Sequence, residues 1–162
     1  MTDRHEGDRA REKLVELLQD VRIGMLTTYG AHGPRSLPMA RQEVEPSAQM
    51  WFLTGRDTRH VRDVEAEPRV SLTFTARDAW IAIAGRATVV DDRAKVEELW
   101  NTFAEAWMPE GPEDPNAVLL RVDVEEAEYW DSPGGTVASL LSFVKAKVTG
   151  DTLDADHGTV RP

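Results

Sequence analysis

The stretch that decides the fold is residues 23–54, which read IGMLTTYGAHGPRSLPMARQEVEPSAQMWFLT. Apolar and hydroxyl-bearing residues at 23–29 indicate a strand, and the glycines and proline that follow are typical of a turn. Residues 35–44 are predicted to return as a second strand, and residues 49–54 to form a third. Because proline has no N–H to donate to a ladder, we expect Pro38 at a sheet edge or at a bulge.

Outward from this stretch, short predicted strands alternate with short predicted helices. Further strands are predicted at residues 69–74, 80–90 and 117–124, and the sequence leaves open that the last of these continues through Tyr129 and Trp130. Helices are predicted at residues 9–20, 57–66, 91–107 and 136–147. Connections of a few residues join antiparallel strands, whereas parallel neighbours need crossovers of a dozen residues or more. The pattern therefore predicts a mainly β protein with α insertions, built as a closed or half-open barrel of about six antiparallel strands.

Several single residues refine this prediction. Asp57 or Thr58 is expected to cap the second helix, and Asp91 or Asp92 to begin the third. Gly85 is expected to mark a bulge in the fifth strand. One side of the third helix is predicted to carry the apolar residues Val96, Leu99, Trp100, Phe103 and Trp107.

The 162 residues are enough for one domain, which we place at residues 1–150. The polar tail at residues 151–162 has no apolar period and is expected to be frayed. The first 18 residues are charged throughout, unlike a signal peptide. No apolar run approaches the roughly 18 residues of a membrane span, so we expect a cytoplasmic protein that does not insert into membranes.

The formal net charge of −10 disfavours nucleic acid or an anionic membrane surface as the main partner. Binding either one requires clustered Lys and Arg to neutralise phosphates. There is no cysteine, which excludes disulfides, thiolate nucleophiles and cysteine-ligated metals. The four histidines show no metal-ligand spacing, so no metal site is expected.

Basic and hydroxyl-bearing residues gather locally around the second strand and the second helix. Arginine binds phosphate oxygens in a bidentate fashion, and the first N–H groups of a helix point at an anion. The same residues also fit a solvated strand–helix corner in which Thr58 only caps the helix, and the residue types alone leave both interpretations open. The cluster consists of Arg35, Arg41, Arg56, Arg59, His60 and Arg62.

Five tryptophans are many for this length, which favours a ligand pocket or a subunit interface. Trp100 and Phe103 lie at helical spacing, which is more typical of core residues than of a cofactor site. Trp107 comes just before a proline at a predicted helix end, where a side chain can reach a surface, so it is the better ligand candidate. The full set is Trp51, Trp80, Trp100, Trp107 and Trp130.

At these residues the sequence resembles the pyridoxamine 5′-phosphate oxidase-related superfamily, specifically its general stress protein branch. The resemblance covers about residues 14–150. Each of its motifs is weak alone, and they indicate the family because they occur together, in order and with matching spacing. They are MLTT at 25–28, RSLPM at 35–39, WFLT at 51–54, ELWN at 98–101, AWMPEGP at 106–112, VLLRV at 118–122 and AEYWD at 127–131.

The resemblance implies a split β-barrel that binds flavin mononucleotide (FMN), usually as a homodimer with two flavin sites at the subunit interface. Arg35 is then expected to reach the phosphate, Trp80 to approach the ring, and Trp107 to come from the partner subunit. Leu53 and Thr54 are expected beside the ring and the ribityl chain. The flavin-binding residues that it implies are Arg35, Ser36, Leu37, Pro38, Met39, Leu53, Thr54, Thr58, Arg59, His60, Trp80 and Trp107.

Two departures qualify the implied function. His60 stands where family members often carry lysine, and the C-terminal part lacks the arginine and histidine segment of true pyridoxamine 5′-phosphate oxidases. Oxidation of vitamin B6 is therefore not expected. The leading hypothesis is an FMN-dependent oxidoreductase of unknown substrate with a stress-related role, whose catalytic residues the sequence does not identify. The alternatives are a flavin-binding or flavin-sensing module without turnover, a deazaflavin-dependent reductase, and a heme-binding barrel using His32 or His60.

Overall fold

The computed structural model of the chain describes residues 2–76, 79–131 and 156–160. The helices are α1 Thr2–Gln19, α2 Arg59–Ala66, α3 Arg93–Leu99 and α4 Thr102–Trp107. The strands are β1 Ile23–Gly30, β2 Gly33–Val44, β3 Met50–Gly55, β4 Arg69–Thr75, β5 Ala79–Val90, β6 Ala117–Asp131 and β7 Asp156–Val160. No helix in this part of the chain is both long and apolar enough to cross a membrane.

Six strands close into an antiparallel barrel. Their order is β3-β2-β1-β4-β5-β6, and β6 returns to pair with β3, which closes the ring. Each of these pairings is antiparallel, so short turns can join most neighbours. The predicted fold class, a barrel of about six antiparallel strands with flanking helices, is confirmed.

The barrel interior is filled by alternate residues of its strands. In β4, for example, Val70, Leu72 and Phe74 are buried while the residues between them are not. Leu14 and Leu18 of α1 join the same cluster, so this helix packs on the barrel core. Each such side chain contributes roughly 1.5–3 kcal/mol when it leaves water. Period-two burial along the strands therefore sets which face each residue presents.

Two irregularities in the ladders were predicted and are confirmed. The register of β5 on β6 shifts between Ala84 and Gly85, and a Cβ at Gly85 would collide with the carbonyl oxygen of Asp123. β3 pairs with β2 only from Arg41 onward, which leaves the first half of β2 as an edge at Pro38. That open edge forms one side of the candidate site.

The prediction of one continuous helix over residues 91–107 is wrong. The chain forms α3 and α4 instead, and Asn101 lies between them. The Oδ1 of Asn101 accepts hydrogen bonds from the N–H groups of Phe103 at 3.0 Å and Ala104 at 3.1 Å. An asparagine in this role begins a new helix, because its side chain satisfies N–H groups that lack a partner in the first turn.

The longer course that was left open for the last predicted strand is observed, since β6 continues to Asp131. The C-terminal part differs from the prediction in β7, which pairs with β6 from Asp156 to Val160, although residues 151–162 were expected to be frayed. β7 covers β6 beyond the end of its pairing with β3, where backbone N–H and C=O groups would otherwise lack a ladder partner. The predicted helix at 136–147 lies outside the described residues.

Candidate functional site

A cleft of about 340 Å³ lies between the open half of β2, the end of β3 and α4. Its volume falls at the lower end of the range for small-molecule sites. Most of its surface is apolar, and threonine hydroxyls lie at the end where β3 leads into α2. The lining residues are Ile23, Pro38, Met39, Ala40, Gln42, Leu53, Thr54, Gly55, Thr58, Phe103, Ala104, Trp107 and Met108.

The aromatic end of the cleft is formed by α4. The rings of Phe103 and Trp107 lie 6.5 Å apart at 47°, and Trp107 is 76% exposed. An aromatic side chain this exposed buries little apolar surface in the isolated chain, so it offers an unused face to a planar ligand. Arg22 lies over the other aromatic ring, 5.4 Å from the centroid of Phe103. We call Phe103 and Trp107 the aromatic end.

The polar end is formed by Thr54, Thr58 and His60. The Nε2 atom of His60 lies 2.6 Å from the Oγ1 of Thr54 and 3.2 Å from the Oγ1 of Thr58. Thr58 occupies the N-cap position of α2, but its hydroxyl donates to the carbonyl of Gly55 at 2.8 Å and makes no capping bond. The N–H groups in the first turn of α2 therefore have no capping side chain and remain suited to bind an anion.

The electrostatics of the polar end favour a neutral His60. Burial lowers the pKa of His60; Asp63 opposes this shift and Arg59 adds to it. The imidazole is therefore uncharged at neutral pH, where it carries one proton on one of its two nitrogens. Asp63 itself accepts a hydrogen bond from the hydroxyl of the buried Thr28 at 2.9 Å, which links α2 to β1.

Comparison with known proteins identifies the family. A family model described as pyridoxamine 5′-phosphate oxidase like matches residues 9–154, which is most of the chain. The chain belongs to the pyridoxamine 5′-phosphate oxidase-like family.

Relatives place the chain near the general stress proteins of this family. General stress protein 26 of Bacillus subtilis (strain 168) is 23% identical over 135 residues, covering 80% of this chain and 94% of that protein. The crystal structure of a candidate general stress protein 26 from Jannaschia sp. CCS1 is 29% identical, with a TM-score of 0.72 and full coverage of both chains. The general stress FMN/FAD binding protein of Xanthomonas citri is 30% identical, with a TM-score of 0.68, covering 79% of this chain and 92% of that one.

Six of the twelve predicted flavin-binding residues line the cleft. His60 contacts the cleft only through the hydroxyls of Thr54 and Thr58. Trp107, which the resemblance places in the partner subunit, lines the cleft of its own chain. The predicted residues that line the cleft are Pro38, Met39, Leu53, Thr54, Thr58 and Trp107.

The remaining predicted residues lie around the cleft or away from it. The Oγ of Ser36 lies 2.7 Å from the Oγ1 of Thr27, and Leu37 packs against the barrel core. Arg35, half-buried in β2, and Arg59, exposed at the start of α2, have no ion-pair partner within the described part of the chain. Trp80 is half-exposed in β5 and does not line this cleft.

Three arginines of the predicted phosphate cluster have other partners. The Nη2 of Arg41 donates to the carbonyl of Leu18 at 2.6 Å, at the end of α1. Arg56 forms an ion pair with Asp91 at 2.6 Å, and Arg62 donates to the carbonyl of Asp57 at 2.8 Å. Carbonyls and a carboxylate already engage these guanidinium groups, so the arginines of the predicted cluster that can meet a phosphate reduce to Arg35 and Arg59.

The sequence analysis assigned Phe103 to the core, and that prediction is wrong. Phe103 lines the cleft and is 37% exposed, whereas Trp100 packs in an apolar cluster around Trp51, as expected of a core residue. The reason is the helix break between Leu99 and Thr102, because the helical spacing that linked Phe103 to Val96 and Leu99 does not continue across it. Asn101, a strong N-cap residue, was the signal in the sequence.

Proposed function

We propose that the cleft binds FMN and that the protein is an FMN-dependent oxidoreductase of the general stress type. The observation that carries this proposal is the division of one cleft into an apolar part with exposed aromatic rings and a hydroxyl-lined end at the start of α2. FMN has the same division, since it joins a planar apolar ring system to a phosphate through a polar chain.

The residues present fit such a ligand. Pro38, Met39 and Leu53 would contact the ring on one side, and Trp107 supplies an exposed aromatic face on the other. The phosphate would lie at the polar end, where the first-turn N–H groups of α2 lack a capping side chain. Arg35 and Arg59 are the guanidinium groups that could neutralise it.

A relative supports the choice of ligand. The protein from Xanthomonas citri, 30% identical to this chain, is described as a general stress FMN/FAD binding protein. FMN fits the cleft better than FAD does, because about 340 Å³ is small for a dinucleotide and the polar end closes against β3 and α2. A role in the stress response rests on the same relatives and is part of the proposal.

The chemistry would come from the flavin, which supplies reversible electron or hydride transfer when bound. The chain's own residues hold the ring, keep water away from one face and neutralise the phosphate. Among the described residues that line the cleft, none carries a carboxylate, an amine or an imidazole. The same observation favours a second candidate function, a flavin-binding module without turnover, because no ionisable side chain lies among the described residues that line the cleft.

We further propose a homodimer. Four large apolar side chains on the outer surface of the barrel are between 41% and 52% exposed. Apolar side chains exposed to this extent are candidates for a contact with another protein surface. A second copy of the chain would bury them and could add a wall to the cleft. These residues are Ile23, Met25, Tyr29 and Trp80.

The test is an absorbance spectrum of the purified protein before and after addition of FMN, with dialysis to remove free flavin. We expect about one retained FMN per chain, with visible bands shifted from those of free FMN. Anaerobic reduction by NADH or NADPH then separates an oxidoreductase from a module without turnover. A protein that remains colourless with FMN contradicts the proposal, and a deazaflavin and heme would then be tested in the same way.

A further inference from the structure

The hydrogen bonds at the polar end determine which nitrogen of His60 carries the proton. Thr58 has one hydroxyl proton, and it is donated to the carbonyl of Gly55 at 2.8 Å, a group that can only accept. The contact between the Oγ1 of Thr58 and the Nε2 of His60, at 3.2 Å, is then a hydrogen bond only if Nε2 is the donor. The Nε2–H tautomer is therefore the one that makes both threonine contacts hydrogen bonds, with the Nε2–H group shared between the two oxygens, whereas the Nδ1–H tautomer keeps only a hydrogen bond donated by Thr54.

This tautomer decides the role of Thr54. The Nε2–H group of His60 points to the Oγ1 of Thr54 at 2.6 Å, so Thr54 accepts and its own proton is left over. In the described part of the chain the Thr54 hydroxyl has no other hydrogen-bond partner, and Thr54 lines the cleft while being 7% exposed. A buried hydroxyl donor without an acceptor costs free energy, which a ligand acceptor would recover.

We propose that His60, protonated at Nε2, is a positioning residue that makes the Thr54 hydroxyl a hydrogen-bond donor into the cleft. The polar end then selects ligands that place an acceptor, such as a phosphate or ribityl oxygen, beside Thr54. His60 acts through Thr54 and does not contact the ligand. Only the identity of the ligand rests on the proposed function; the tautomer does not.

The charged neighbours leave this arrangement intact. Arg59 and Asp63 are the charged groups of α2 that act on His60, and β3 presents only the hydroxyl of Thr54 to its Nε2. Protonation of the ring adds a proton at Nδ1 and leaves the Nε2–H donor in place. The direction of the hydrogen bond to Thr54 is thus the same in both charge states.

The first test uses the ligand-free protein. Long-range ¹⁵N–¹H NMR at pH 7.5, assigned with a His60→Gln variant, distinguishes the two neutral tautomers. We expect the His60 signals of the Nε2–H form. An Nδ1–H pattern would overturn the inference, whatever the protein binds.

The second test measures FMN affinity by fluorescence quenching in a double-mutant cycle. His60→Leu and Thr54→Val should each weaken FMN by about fivefold to tenfold, the value of one hydrogen bond. The double variant should be no weaker than Thr54→Val alone, since His60 acts only through that hydroxyl. His60→Gln, whose amide N–H can replace Nε2–H, should restore most of the affinity.

Controls separate this inference from the proposed function. His32→Leu, in the exposed turn between β1 and β2, should leave FMN affinity unchanged. Additive losses in the cycle, or a His60→Gln variant as weak as His60→Leu, would overturn the positioning role. If the wild-type protein binds no FMN, the proposed function fails, and the NMR experiment still decides the tautomer.

Discussion

The two ends of the cleft are built in different ways. The polar end rests on the rigid junction of β3 and α2, where three side chains and a carbonyl are connected by hydrogen bonds of 2.6 to 3.2 Å. The aromatic end rests on α4, a six-residue helix with exposed rings. Preorganised polar groups give direction and selectivity, whereas an exposed aromatic wall adapts to the shape of its ligand. If the cleft binds FMN as proposed, selection of the phosphate falls to the polar end.

The largest expected effect removes the two arginines that are proposed to neutralise the phosphate. Replacing Arg35 and Arg59 together by alanine should weaken FMN by at least about 100-fold, since two charged hydrogen bonds of about 1.5–3 kcal/mol each contribute about 3 kcal/mol or more. Riboflavin, which lacks the phosphate, should bind almost as before. Isothermal titration with both ligands measures the difference. Arg56→Ala is the matched control because that guanidinium is engaged by Asp91, and an unchanged FMN affinity in the double variant would refute the phosphate assignment.

A substitution at the aromatic end should weaken flavins with and without a phosphate to the same extent. Trp107→Ala should weaken FMN and riboflavin equally, by about fivefold to tenfold, the value of one aromatic contact. The melting temperature should change little because this side chain is 76% exposed. Trp100→Ala offers the contrast: its side chain packs against the apolar cluster that contains Trp51, so stability should fall instead. A Trp107→Ala loss confined to FMN would contradict the division of the cleft.

A smaller effect is expected from the cap of α4. Asn101→Ala removes the acceptor of two N–H groups and should destabilise α4 by about 1 kcal/mol. Hydrogen exchange should accelerate at residues 103–104 while the barrel strands keep their protection. Asn101→Asp keeps the acceptor for these two N–H groups but loses the amide that donates to Gln42 and to the carbonyl of Leu99, so it should recover only part of the lost protection. Uniform loss of protection throughout the barrel would show that α4 is not an independent unit.

The smallest expected effect is a pH dependence of stability at the polar end. Burial lowers the pKa of His60 below its ordinary 6.5, so the unfolded chain binds this proton more readily than the folded chain. The contribution of His60 to stability is therefore complete above pH 6.5 and is lost as the pH falls toward its folded pKa. Urea denaturation of wild type and His60→Gln at pH 7.5 and 5.5 should show a greater acid loss in the wild type. Equal losses would contradict a neutral, half-buried His60.

The barrel was predictable from sequence because period-two burial leaves a direct pattern in the chain, as in Arg69–Thr75. The break at Asn101 was missed because the apolar residues on both sides continue a helical spacing across it. The role of Arg41 could not be read locally, since its partner carbonyl belongs to Leu18, 23 residues earlier. β7 was missed because backbone pairing on a strand edge needs no apolar pattern.

The candidate site was predictable in part for a similar reason. Residues that follow each other in one strand, such as Pro38 and Met39 or Leu53 and Thr54, lie at the same cleft because strand pairing fixes their positions together. Phe103 reaches it only through the tertiary placement of α4. The link from His60 to both threonine hydroxyls depends on side-chain geometry that residue types do not specify.

The central claim is that one end of the cleft recognises a phosphate. The most direct measurement is the ratio of the dissociation constants of riboflavin and FMN for the unmodified protein at constant ionic strength. The account predicts that FMN binds at least about tenfold more tightly, the contribution of one charged hydrogen bond or more. Equal affinities for the two flavins would contradict it.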